Sequence, residues 1–227
     1  MKYKILFAAV LMGSSWFVQS CNDSTKTTST TTEMDSSMNH TMPNDSMHAG
    51  NMNMDNAMMQ SMTGMMGKMD AMTMTGDFDM DFANMMIMHH QAAIDMSEVQ
   101  LAKGSDAQIK TMAQNIITAQ KAEIEKMQQM VKDYKLPEAK KQAGEMHNEL
   151  GETMKAMMGK INSMPMAGNT DKDYVMMMIP HHEAAVQMAE QEIGHGKLAA
   201  LKIMAQKMIA DQNKEIEQFT TWQAKQK

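Results

Sequence analysis

The sequence predicts an all-α protein: a four-helix bundle of two repeated helical hairpins with a connecting helix, preceded by a disordered Met-rich arm. Three observations predict it. Of 227 residues, 43% are hydrophobic and only 4% aromatic, a balance suited to helices packed through aliphatic and Met side chains rather than to strands. Residues 77–131 recur at 169–223 without gaps, at a constant offset of 92. Within each copy, apolar residues follow the 3-and-4 spacing of helices on either side of a Gly turn.

The first segment reads as an address. Lys2 and Lys4 precede an apolar run at residues 5–12, followed by Gly13, Ser14 and Ser15. This is the layout of a secretory signal, and the run is too short to span a membrane. Val18-Gln19-Ser20-Cys21 resembles a bacterial lipoprotein cleavage box, with Gln19 where a small residue is usual. Cys21 is therefore the expected lipidation site and residues 1–21 the expected signal peptide; the alternative is an ordinary signal peptide. Both place the mature chain in the cell envelope, in the periplasm or at the cell surface, and the lipid would hold it to a membrane.

Residues 22–76 form the arm. Residues 22–33 are too polar to bury a core. From Met34 to Met74, Met alternates with Asp, Asn, Ser, Thr and Gly, with His40 and His48 among them. Pro43, Gly50, Gly64 and Gly67 interrupt any period, so this stretch reads as disordered.

The bundle is expected over residues 77–227. In the first hairpin, Phe78, Phe82, Met85, His89, Ala92, Met96 and Val99 share a face; Gly104 turns the chain and Ser105 can cap the next helix. That helix carries Ile109, Met112, Ile116, Ile117, Ile124, Met127 and Met130. In the second hairpin, Tyr174, Met178, His181, Ala185 and Met188 face inward, Gly194 and Gly196 turn, and Leu201, Met204, Met208, Ile216, Phe219 and Trp222 complete the stripe. Between the copies, Pro137 can open a connecting helix striped by Met146, Leu150, Met154, Met157 and Ile161. Asp79, Asp81, Asp171 and Asp173 stand at the starts of the first helices, where capping is the expected role.

Several functions are excluded or disfavoured. The net charge of −6, with no basic block, argues against nucleic acid as a partner. One Cys rules out multi-thiolate zinc sites and an internal disulfide. Glu192 to His195 is the only Glu-x-x-His spacing and falls at a turn, so di-iron chemistry is disfavoured.

The candidate chemistry lies in Met86-Ile87-Met88-His89-His90 and its echo Met178-Ile179-Pro180-His181-His182. Helical spacing sets Met85 and Met86 beside His89, and Met86 also beside His90; Met177 and Met178 stand in the same relation to His181 and His182. Met96 and Met188 lie two turns further along. Thioether sulfur is soft and selects Cu(I), whereas imidazole accepts copper and zinc alike. The expected ligands of two His-His/Met sites are thus Met85, Met86, His89, His90, Met96, Met177, Met178, His181, His182 and Met188. A histidine on an apolar face is more often a core residue; the duplication with flanking Met favours ligation. The 36 Met residues exceed what a core uses. Those of the arm, with His40 and His48, are expected to capture copper, because Met binds without losing a proton. A low-complexity linker or an oxidant sink are the alternatives there.

The second motif, Asp171, Tyr174, Met178, Ile179, Pro180, His181, His182, Ala185, Val186, Met188 and Ala189, resembles the signature of the family known as domain of unknown function 305 (DUF305). The first copy keeps Asp79, Phe82, Met86, Ile87, His89, His90, Ala93, Ile94 and Met96, with Met88 and Ser97 where Pro and Ala are usual. The resemblance implies a ferritin-like four-helix bundle without di-iron ligands, and relatives that bind Cu(I) outside the cytoplasm in copper resistance. The expected function is copper (Cu(I), with Ag(I) as a mimic) sequestration or transfer, not catalysis, with a copper efflux component or metallochaperone as partner. The alternatives are an envelope interaction protein whose Met and His are structural, and a copper-dependent redox enzyme.

Overall fold

The structure, a computed structural model, describes residues 55–135 and 146–226. Six helices appear among them: α1 Asp55–Asp70, α2 Phe78–Lys103, α3 Ala107–Asp133, α4 Met146–Ser163, α5 Thr170–His195 and α6 Ala199–Ala224. α2 runs along α3 and α5 along α6, and α2 faces α5. This is the expected all-α bundle of two hairpins. α1 lies on α2, and α4 lies on α5 in the same way.

Two expectations need correction. Residues 55–70 are not part of a disordered arm: they form α1, with Met58, Met62, Met65 and Met69 buried. Nor is α4 a mere connection. At the same offset of 92, Met58, Met62, Met65 and Met69 become Leu150, Met154, Met157 and Ile161, all buried. The duplicated unit is a three-helix element, α1–α2–α3 and α4–α5–α6. A 16-residue helix containing Gly64 and Gly67 is marginal on its own, and burial of its Met stripe stabilises it. Residues 136–145, and Pro137 with them, lie outside the described residues.

The turns also match. Gly76 (φ 81°) and Gly168 (φ 67°) take left-handed backbone that other residues avoid. Asp77 and Asn169 cap α2 and α5, accepting from Met80 N and Lys172 N. Asp106, not Ser105, caps α3 by accepting from Gln108 N and Ile109 N.

The four paired aspartates brace the turns rather than their own helix ends. Asp81 accepts from Thr75 N and Gly76 N, and Asp173 from Ala167 N and Asn169 N. Asp171 of α5 accepts from Ser105 N, Ser105 Oγ and Asp106 N at the start of α3. Asp79 of α2 accepts from Lys197 N and Leu198 N at the start of α6, whose own N-cap residue has no capping side chain. Each unit therefore caps a helix of the other. One continuous core joins them, rich in Met from α1, α2, α4 and α5.

Candidate metal centre

Because α2 faces α5, the two His-His motifs meet in the middle of the bundle. All ten expected bundle ligands are buried: Met85, Met86, His89, His90 and Met96 on α2, and Met177, Met178, His181, His182 and Met188 on α5. His89 and His181 stack, ring centroids 3.6 Å apart and planes at 29°. His90 lies 6.3 Å from His89, and His182 lies 6.1 Å from His181, centroid to centroid. Sequence spacing suggested two sites; the fold gathers the four rings into one cluster across the seam of the repeat.

The outer rings are anchored. His90 Nε2 is 2.8 Å from Glu123 Oε2 on α3, and His182 Nε2 is 2.7 Å from Glu215 Oε2 on α6. A carboxylate accepts, so Nε2 carries a proton in each pair. This is how metal-binding histidines are commonly oriented by a supporting carboxylate. Both Nδ1 atoms are buried without a hydrogen-bond partner.

The inner rings have less. Neither nitrogen of His89 or His181 has a hydrogen-bond partner. Burial, then the neighbouring His90 and His182, holds His89 well below the usual imidazole range. Burial, then His89, His182 and His90, does the same to His181. Each ring lies against the main chain of the opposite histidine, which offsets little of the shift and falls short of hydrogen-bond geometry. Both are neutral at pH 7, so each keeps one ring nitrogen with a lone pair available to a metal ion.

Six ring nitrogens are thus buried and unpartnered in one place, which is costly in a folded protein and asks for an explanation. Among the described residues, no three His, Cys, Asp or Glu side chains already surround a common point. For ring nitrogens of both units to share one ion, the stacked pair would have to part. Parting it would let imidazole from both units coordinate, with the thioethers of Met85, Met86, Met177 and Met178 on the adjoining helical turns.

A family model described as Domain of unknown function (DUF305) matches residues 15–131 and, again, residues 79–223. The chain belongs to the DUF305 family. This DUF305 chain is similar to CopM in the Cu(II)-bound form, at 29% identity over 66% of this chain and 97% of that chain, with a TM-score of 0.50. It shares its fold with a DUF305 protein from Streptomyces coelicolor, at 23% identity over 67% of this chain and 95% of that one, with a TM-score of 0.54. No curated protein matches.

Of the remaining expected site residues in the DUF305 chain, His40, His48 and Cys21 lie outside the described residues. Sequence reasoning missed the role of Glu123 and Glu215. The signal was present: each lies 33 residues after the histidine it anchors, at matched positions of the repeat.

Proposed function

We propose that this protein binds copper outside the cytoplasm and either sequesters it or hands it on in copper homeostasis, without catalysing a reaction. The six unpartnered imidazole nitrogens at the seam of the repeat carry this reading. Imidazole supplies affinity for copper, and buried thioethers bias the site toward Cu(I), with Ag(I) as its mimic. Similarity to CopM in the Cu(II)-bound form supports copper as the cargo. The four histidines have no solvent exposure, which suits storage of an ion better than turnover of an organic substrate. The signal-like segment ending at Cys21 supports an envelope location with a lipid anchor. No helix among the described residues is long and apolar enough to cross a membrane. A copper efflux component or metallochaperone is the natural recipient.

Competitive Cu(I) titration of the purified chain under anaerobic, reducing conditions tests the reading. His89→Leu with His181→Leu fills the same space with apolar side chains, and circular dichroism checks that helicity is kept. The tightest Cu(I) affinity is expected to fall at least about tenfold, about 1.4 kcal/mol. Unchanged affinity in a folded variant would make the histidines core residues only.

A further inference from the structure

We propose that two Met-x-Met turns, Met72-Thr73-Met74 and Met164-Pro165-Met166, are a matched pair of surface sites for a soft monovalent cation, Ag(I) or Cu(I), separate from the histidine centre. They occupy equivalent places, after α1 and after α4, each followed two residues later by a left-handed glycine, Gly76 or Gly168.

The turns are held in shape. Met72 N donates to Met69 O and Met164 N to Ile161 O, continuing each helix by one tightened turn. Asp81 then fixes Thr75 and Gly76, and Asp173 fixes Ala167 and Asn169. Burial alternates along both: Met72 and Met74 are half-buried while Ala71, Thr73 and Thr75 are exposed, and Met164 and Met166 are half-buried between exposed Ser163, Pro165 and Ala167. The two Met side chains of each turn are therefore partly covered by the protein and partly open to solvent. An ion can reach them without opening the bundle, unlike the histidines.

Met72, Met74 and Met166 pack against the core while remaining partly open to solvent. Within the core the second copy replaces Met at some positions, as Met58, Met69 and Met127 become Leu150, Ile161 and Phe219, and keeps it at others, such as Met62 and Met154 or Met65 and Met157. At the solvent-touching turns both copies hold Met, twice over. Met66 and Met158, half-buried near the ends of α1 and α4, are also Met in both copies and are candidate third donors. Thioether is neutral, needs no deprotonation and selects soft ions over the hard cations abundant in solution.

The proposal rests on the copper reading only for the choice of ion. Its test is an Ag(I) titration of the full chain labelled at the Met ε-methyls, followed by NMR, with Met72, Met74, Met164 and Met166 assigned by single Met→Leu variants. All four signals are expected to shift together. The quadruple variant M72L/M74L/M164L/M166L should keep its helicity and bind about two fewer ions. The proposal is overturned if these four methyls stay still while others move, or if the quadruple variant binds as many ions. Imidazole signals of His89 and His181 under Cu(I) separate the cases: their response in the quadruple variant shows the histidine centre intact whatever the turns do.

Discussion

Glu192 and Gln100 hold the same place in the two units, yet one is an acid and the other an amide. Gln100 Nε2 donates to Asp171 Oδ1 across 2.5 Å. Glu192 stands over Asp79 instead, and two carboxylates cannot bond each other without a proton. As an ionised group Glu192 has no donor for either oxygen. Burial, then the Asp79 carboxylate, pushes Glu192 up to about 9, with Lys202 opposing and Asp77 adding slightly. Protonated, it can donate to Asp79 as Gln100 does to Asp171. The folded value lies above the unfolded one near 4.5, so this contribution is complete below pH 4.5 and fades as pH rises toward 9. Glu192→Gln should therefore raise stability little at pH 4.5 and by about 1–2 kcal/mol at pH 8. Urea unfolding at the two pH values checks it; an equal gain at both would remove the shared proton. Crowding around these side chains is also matched: a Cβ at Gly104 would collide with Gln100 Nε2, and one at Gly196 with Glu192 Oε1.

At the scale of the element, α1 separates what was legible from what was not. Its buried positions 58, 62, 65 and 69 step by four, three and four, a helical period. The period was hidden because Met recurs throughout the arm, and Gly64 and Gly67 read as breakers. Comparison with Leu150, Met154, Met157 and Ile161 exposes it, since the second copy writes the same stripe partly in Leu and Ile. α2, α3, α5 and α6 were legible because their apolar spacing stands against polar neighbours. The His-Met motifs were legible as paired chemistry, but their meeting was not: spacing along one helix cannot say which helix it faces. If α1 belongs to the core, Met62→Ala should cost about 2–4 kcal/mol in thermal or denaturant unfolding. A cost within about 0.5 kcal/mol, the range of surface changes, would return α1 to the arm.

At the scale of the whole molecule, the two units interlock through reciprocal capping. Burial raises the Asp171 carboxyl, but bonds from Ser105, Gln100 and the Asp106 main chain outweigh it, leaving the carboxyl below its ordinary range. Asp171→Ala would strand the Ser105 and Asp106 amides, and Asp79→Ala the Lys197 and Leu198 amides. Each should lower stability by about 2–3 kcal/mol in a single cooperative transition. Two separated transitions in either variant would mean that the units fold independently. The same seam holds the histidines, so an ion bound there ties the halves together.

X-ray absorption at the copper edge, on the full chain with one equivalent of Cu(I), reads that seam most directly. The expected result is a mixed shell of imidazole nitrogen and thioether sulfur that loses its nitrogen in His89→Leu/His181→Leu. A shell of sulfur alone in the unsubstituted protein would contradict it.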